Sequence, residues 1–243
     1  MIAHENAAFD FVERIQALDS VAAVLDTFRQ EAGHFGFSTI ALGMLPAAGS
    51  GAPSGSFFVS TWPETWVDTY VGEELARLDP TVTHARVSAV PATWSELRIL
   101  YRKRPGSIRL FQATAAHGWP EGLCIPVHGP RGYQGVVSLG GETGDLPLRS
   151  RAALHLMGLY LHERLKELMA PDLAPSEVPR LTPGEIECIQ WLMAGKTDWE
   201  IGEILGIAEA TAHWRIERAK KKLDVKTRAQ LTALAVHYGL VRP

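Results

Sequence analysis

The chain of 243 residues is long enough for two modest domains, and its hydrophobic fraction of 46% and charged fraction of 21% are ordinary for a globular protein. No apolar run approaches the roughly 18–20 residues of a membrane span, and the acidic start MIAHENAAFDF lacks the basic region of a secretory signal, so we expect a cytoplasmic protein with no membrane partner. The distant Cys124 and Cys188 exclude a disulfide framework, and no histidine cluster has metal-ligand spacing.

The net charge of −3 conceals an uneven distribution. Residues 208–243 contain eight Lys/Arg against three Asp/Glu, so a basic C-terminal end follows an acidic body. Because a basic surface attracts anions, we expect this end to have an anionic partner.

Residues 1–169 predict an α+β domain, an α-β-α sandwich in which an antiparallel sheet lies between helical layers. Helices follow from apolar residues at three- and four-residue spacing, and strands from short β-rich runs between Gly/Pro turns. The Pro-punctuated segment 170–180 is the predicted linker. The predicted elements are helices over 5–35 with a break at Asp19-Ser20, a strand at 38–45, a loop at 46–56, a strand at 57–61, helices over 62–75, from near 95 and over 106–117, a hairpin of 122–128 and 134–140, and a helix over 148–169.

The stretch from Trp62 to Trp94 holds an unusual group of large side chains. Trp62, Trp66 and Tyr70 recur at i, i+4 and i+8, so a helix places all three on one face. If the chain folds back, Asp79 and Trp94 join them, and aromatic walls with a carboxylate suit a small-molecule pocket. The same aromatics could form plain core, and Asp79, which precedes a proline, could serve only as a helix N-cap.

Residues 181–243 predict an all-α domain of four short helices. Capping boxes begin at Thr182, Thr197 and Thr227, and Gly206 supplies a tight turn before a third helix over 208–222. Four short helices with a turn between the second and the third describe a helix-turn-helix module.

The third helix carries the candidate DNA contacts. Its apolar side chains form an inward stripe, and its polar and cationic side chains point away from that stripe, as a groove-binding helix requires. A solvated basic helix would look similar, but the capping boxes and the glycine turn favour DNA binding. Lys220, Lys222, Lys226 and Arg228 suit phosphates. The predicted DNA-binding residues are Thr211, His213, Trp214, Glu217, Arg218, Lys221 and Lys222.

Two segments resemble known families. LTPGEIECIQWLMAGKTDWEIGEILGI, with KLDV before the last helix, resembles the LuxR-type helix-turn-helix domain. W-P-x-x-W-x-x-x-Y, followed by D-P and P-x-x-W, resembles the acyl-homoserine lactone-binding domain of quorum-sensing members. The two resemblances cover nearly the whole chain. They imply an N-acyl-homoserine lactone ligand, a homodimer on a palindromic DNA operator, RNA polymerase as a partner, and no enzymatic activity or cofactor.

The resemblance also assigns roles to the aromatic stretch. Trp66 would donate its indole N–H to the lactone carbonyl, and Asp79 would accept from the ligand's amide N–H. Tyr70 and Trp94 would wall the ligand, and the hydroxyl of Ser138 on the last strand would help to hold the amide carbonyl. The predicted ligand-binding residues are Trp62, Trp66, Tyr70, Asp79, Trp94 and Ser138.

The sequence departs from the family pattern in three places. Trp62 stands where many members have tyrosine, so a hydroxyl contact there is lost or becomes an N–H contact. Ala212-His213-Trp214-Arg215 replaces the usual Val-x-x-His, and Glu217 stands where a basic or amide residue is common. The operator sequence is therefore not transferable from relatives.

Other functions compete with lactone sensing. An orphan regulator that responds to another small signal, or that lacks a cognate synthase, fits the same sequence. A response regulator would need alternating strands and helices with acids at strand ends, and residues 1–169 do not show that pattern. A lactone hydrolase would need an H-x-H-x-D-H metal run or a G-x-S-x-G elbow, and the sequence contains neither. We therefore predict a ligand-responsive transcriptional regulator and not an enzyme.

Overall fold

The computed structural model describes residues 3–45, 58–72, 75, 78–104, 106–142, 146–169 and 179–242. The chain divides into two compact units, the first formed by Met1–His128 and Tyr133–Ala174 and the second by Pro175–Pro243 together with the short segment Gly129–Gly132. This division falls inside the segment predicted as the linker. The predicted loop at 46–56 and residues 170–178 of that linker lie outside the described residues.

The N-terminal unit combines helices with a five-stranded antiparallel sheet of order β2-β1-β5-β4-β3, which confirms the predicted α+β class. The helix α4 was anticipated only as the alternative in which Asp79 is an N-cap, and the strand β3 was not predicted, because two residues are too short to show a period. The elements are α1 Ala3–Gln16, α2 Val21–Gly33, β1 Phe37–Met44, β2 Phe58–Ser60, α3 Glu64–Gly72, α4 Pro80–Val87, β3 Ala92–Thr93, α5 Trp94–Leu100, α6 Ser107–Ala116, β4 Glu121–His128, β5 Gln134–Gly141 and α7 Leu148–Met169, with a short 3-10 turn at Pro130–Gly132.

The strand register gives the sheet two unlike faces. Ser138 of β5 lies between Ala41 of β1 and Cys124 of β4, and because side chains alternate, these three share one face. The opposite face carries large aliphatic side chains that form a buried core with residues of α1, α2 and α7. The sheet residues of that core include Ile40, Leu42, Leu123, Ile125, Val137 and Leu139.

The face that holds Ser138 is lined by small residues. Thr39 of β1, Gly140 of β5 and Gly122 of β4 lie beside one another in register and belong to this face. A second core, formed mainly by residues of α3 to α6, includes Cys124 of this face. Since the strands contribute little side-chain volume here, the fold leaves space between this face and the helices.

The C-terminal unit contains α8 Pro183–Met193, α9 Asp198–Leu205, α10 Glu209–Lys222 and α11 Arg228–His237. All three predicted capping boxes are present, with both reciprocal hydrogen bonds in each. Gly206 caps α9 in the left-handed conformation at φ 65°, so the predicted turn before the third helix is confirmed. Among the described residues of the whole chain, we find no helix of the length and apolarity needed to cross a membrane.

Candidate ligand pocket and DNA-binding surface

A small cavity with about 30 Å³ of enclosed space lies on the small-residue face of the sheet. Helices α3 to α6 and strands β1 and β5 contribute to its walls. The enclosed volume is below that of typical small-molecule sites, so a ligand has to move side chains of the walls apart. The structure brings all six predicted ligand-binding residues to this one cavity. They are Trp62, Trp66, Tyr70, Asp79, Trp94 and Ser138.

The three aromatics of the helical repeat form a continuous wall. Trp62 and Tyr70 have ring centroids 4.9 Å apart, and Trp66 lies edge-on to Trp62 at 6.1 Å. Trp119, which follows α6, meets Trp66 edge-on at 5.6 Å and extends the wall. Such geometries suit the quadrupoles of the rings and hold them rigidly.

Asp79 serves two structural purposes. Its Oδ1 atom accepts hydrogen bonds from the backbone N–H and the hydroxyl of Thr81, each at 2.7 Å, so Asp79 is the N-cap of α4. Its Oδ2 atom accepts from the hydroxyl of Tyr70 at 2.8 Å. Burial raises the pKa of Asp79, and the hydrogen bonds from Thr81 and Tyr70 act in the opposite direction. The alternative that Asp79 is a cap is therefore correct, and the same carboxylate also lines the cavity.

Two donors at the cavity are unsatisfied. The indole Nε1 atoms of Trp66 and Trp94 are buried and have no hydrogen-bond partner among the described residues. A buried N–H without an acceptor costs about 1–3 kcal/mol. A ligand that places acceptors against these indoles would recover that free energy.

Sequence reasoning missed seven further residues of the cavity. Thr39 could have been found from the alternation of β1, since it lies on the same face as Ala41. The others gave no chemical signal, because apolar side chains and threonines on or near a helix are ordinary core, and the facing of Gly140 depends on strand register. The missed residues are Thr39, Thr81, Leu110, Phe111, Thr114, Trp119 and Gly140.

In the C-terminal unit, α10 has the predicted inward stripe of Ala212, Ile216, Ala219 and Leu223, all buried. The predicted DNA-binding residues divide between exposed and half-buried positions. Those at exposed positions are His213, Trp214, Arg218 and Lys221, and those that are half-buried are Thr211, Glu217 and Lys222.

A buried carboxylate holds part of this surface. Glu185, on α8, accepts from Lys222 Nζ at 2.6 Å and has its Oε1 atom 3.5 Å from Arg218 Nε. The guanidinium of Arg218 also lies over the ring of Trp214, 4.9 Å from its centroid. Lys222 is therefore engaged within the domain, whereas Arg218 and Trp214 form an exposed pair.

A second carboxylate joins three helices. Asp198 of α9 accepts from both terminal nitrogens of Arg228 of α11 at 2.6 Å each, and lies 2.8 Å from His213 Nδ1 of α10. The hydrogen bond from Arg228, opposed by partial burial and supported by His213, lowers the pKa of Asp198. Arg228, which we predicted as a phosphate contact, is thus paired within the domain.

A unit with a small-molecule cavity and a helix-turn-helix unit define a ligand-responsive transcriptional regulator. Residues 20–165 match the family described as autoinducer binding domain, and residues 179–235 match the bacterial regulatory proteins of the luxR family. The chain belongs to the LuxR family of quorum-sensing transcriptional regulators, which confirms the resemblance found in the sequence.

Full-length relatives support this assignment. The chain is 35% identical to the transcriptional activator protein BjaR1 of Bradyrhizobium diazoefficiens, over 97% of this chain and 96% of that protein. It is 34% identical to RpaR of Rhodopseudomonas palustris, a quorum sensing-dependent transcriptional regulator, over 97% and 95% of the two chains. The crystal structure of Escherichia coli SdiA shares the fold at 22% identity, with a TM-score of 0.63 over 98% of this chain and 99% of that chain.

Proposed function

We propose that the N-terminal unit binds an N-acyl-homoserine lactone in the cavity on the small-residue face of the sheet. The observation that carries this proposal is the unpartnered indole N–H of Trp66 in the same cavity as the carboxylate of Asp79. A lactone carbonyl is an acceptor and an amide N–H is a donor, so this ligand class complements both groups. Burying an amide without partners would cost about 1–3 kcal/mol per group.

The remaining predicted residues complete the complementarity. The hydroxyl of Ser138, on the central strand β5, can donate to the amide carbonyl of the same ligand. Trp62, Tyr70 and Trp94 provide ring faces for the lactone and the acyl chain. Thr39 and Gly140 are small, so the sheet face opposite the rings carries no large side chain that would block the ligand.

In this proposal the protein acts as a homodimer in the bacterial cytoplasm, without cofactor or enzymatic activity. Helix α7 and the neighbouring α1 expose Tyr160 and Phe9, at 42% and 63% of their surface, and these side chains suit a contact with a second copy. Two C-terminal units then occupy the half-sites of a palindromic operator and contact RNA polymerase. A ligand that binds only the folded form also stabilises the protein by mass action.

The proposal is tested by expressing the full chain with straight-chain, branched and aryl lactones and identifying the bound molecule by mass spectrometry. We expect a lactone to raise the soluble yield, to remain bound through purification and to increase retention of operator DNA in a gel shift. Trp66→Phe removes the indole N–H together with part of the ring volume and should weaken these effects, whereas the matched Trp191→Phe, at a side chain that packs against the C-terminal core, should not. Recovery of a different bound molecule, with indifference to every lactone, would support the orphan alternative instead.

A further inference from the structure

The carboxylate of Asp198 is placed to control which nitrogen of His213 carries a proton. Asp198 has only 12% of its side chain exposed, and Arg228 spans both of its oxygens, so the carboxylate is fixed in orientation. The His213 Nδ1 atom approaches one of these oxygens at 2.8 Å. An ionised carboxylate can only accept hydrogen bonds, so Nδ1 must be the protonated nitrogen.

We propose that Asp198 is a positioning residue for DNA recognition, which holds His213 in the Nδ1–H tautomer and leaves its Nε2 atom as an acceptor for a base edge. This inference rests on the proposed contact between His213 and DNA. The side chain of His213 is 55% exposed, and Nε2 lies on the ring edge opposite Asp198. The tautomer of a histidine is set by the partner of its other nitrogen.

The consequence is a preference among base pairs. In the major groove, adenine N6 and cytosine N4 are donors, whereas guanine presents acceptors. A neutral His213 with an acceptor at Nε2 matches an exocyclic amine, and the Nε2–H tautomer does not. Two other charged side chains lie near the ring. The Nη2 atom of Arg228 is 3.5 Å from Nδ1 of His213. Glu217 lies one turn further along α10, and its carboxylate accepts from Lys220 Nζ at 2.8 Å.

Nitrogen NMR of the full chain tests the tautomer directly. At about pH 8.5, where an ordinary histidine is neutral, two-bond nitrogen–proton spectra distinguish the two tautomers, and His213→Ala assigns the signal. We expect the Nδ1–H pattern in the unsubstituted protein and a shift towards Nε2–H in Asp198→Ala. An Nε2–H pattern in the unsubstituted protein would overturn the inference, whether or not Asp198→Ala folds.

Selection from a pool of randomised DNA duplexes tests the consequence for recognition. Asp198→Ala should lose about fivefold or more of the preference at one base pair of each half-site, as expected for one hydrogen bond. Glu203→Ala, an exposed charge on the same helix, is the matched control and should keep that preference. His213→Ala should lose the same preference, and adding Asp198→Ala to it should change nothing further.

The outcomes separate this inference from the proposed function. If the unsubstituted protein selects no duplex, operator binding itself fails. If it selects a sequence but Asp198→Ala changes positions that His213→Ala leaves intact, Asp198 acts on the fold and not through His213. That second pattern overturns the positioning role alone.

Discussion

The hydroxyl of Tyr70 donates to Oδ2 of Asp79 at 2.8 Å, and this bond joins α3 to the first turn of α4 at the cavity. The two oxygens of the carboxylate are used differently, because Oδ1 is engaged by Thr81 as the helix cap. Oδ2 receives a single hydrogen bond and keeps acceptor capacity. The fold therefore holds the carboxylate in a fixed position and leaves Oδ2 able to accept a further hydrogen bond, as a polar contact with a ligand requires.

Asp79→Asn should separate the cap from the proposed ligand contact. Asparagine caps helices as well as aspartate does, so we expect the free energy of unfolding to change by less than about 1 kcal/mol. A ligand amide N–H would then face an amide nitrogen or a weaker acceptor, and lactone affinity should fall about tenfold or more. Calorimetric titration with the identified lactone measures the change. Asp68→Asn, which replaces an exposed carboxylate on α3, is the matched control. Equal lactone affinity in both variants would show that Asp79 serves only as a helix cap.

Tyr70→Phe should destabilise the N-terminal unit in a pH-dependent way. The hydroxyl stabilises the ionised carboxylate, so its loss raises the already elevated pKa of Asp79 further. When the pKa of a group is higher in the folded than in the unfolded state, the protein loses stability as the pH rises through the folded-state pKa. At neutral pH the Tyr70→Phe variant should therefore have a free energy of unfolding about 1 kcal/mol lower than the unsubstituted protein. The difference should become smaller at acidic pH. Denaturant unfolding followed by tryptophan fluorescence measures it, and Tyr160→Phe should show no such trend.

The sequence predicted the cavity well where side chains recur at helical spacing. Trp66 and Tyr70 share a face of α3 because they are four residues apart. Trp62, predicted on the same helix, instead precedes α3 and joins this wall through ring contacts with both. The relation of Asp79 to Tyr70 could not be predicted, because it depends on how α3 and α4 pack, which no local pattern records. Gly140 escaped notice for a similar reason, since strand register decides which small residues face a pocket. Thr39 is different, because the alternation along β1 could have identified it.

In the C-terminal unit, capping chemistry made the helix starts predictable, because a threonine cap and its Glu or Gln partner three residues later act locally. The ion-pair partners of the basic side chains were less predictable from the sequence. Lys222 and Arg228 are basic residues near the recognition helix, yet carboxylates from other helices hold both of them. Charge alone could not distinguish them from Lys221, which is exposed.

Gly140→Ala should narrow the cavity from the sheet side. A Cβ atom there would lie 2.8 Å from Thr39 Cγ2 and 3.1 Å from Trp94 Cη2, so both side chains would have to move. We expect a loss of about 1–3 kcal/mol in the free energy of unfolding and a larger proportional loss of lactone binding. Thermal unfolding with and without lactone measures both. Gly33→Ala is the control, since no atom lies within 4 Å of its Cβ, and a Gly140→Ala protein with unchanged lactone response would contradict the cavity assignment.

His162 should make the N-terminal unit acid-sensitive. Burial lowers its pKa to about 4, from an ordinary 6.5. The unfolded chain therefore binds more protons than the folded one below pH 6.5, and stability is lost as the pH falls from there towards 4. This shift predicts a loss of about 2 kcal/mol between pH 7 and pH 5. His162→Gln should reduce that difference in denaturant titrations at the two pH values, and the exposed His34→Gln should retain it in full.

Asp224 adopts the left-handed conformation at φ 50°, just beyond the recognition helix. The N–H of Val225 donates to the carbonyl of Lys220 at 3.0 Å, and the N–H of Asp224 donates to the carbonyl of Lys221 at 3.4 Å. These two hydrogen bonds form a Schellman motif. Because glycine carries no Cβ penalty in this conformation, Asp224→Gly should stabilise the end of α10 by up to about 1 kcal/mol. Asp224→Val should destabilise it by a similar amount or more, and Asp224→Asn, which tolerates the same φ without the charge, separates conformation from electrostatics. Hydrogen exchange of the last amides of α10 measures the effect of all three substitutions. Faster exchange in the glycine variant would show that the aspartate side chain itself stabilises the end of the helix.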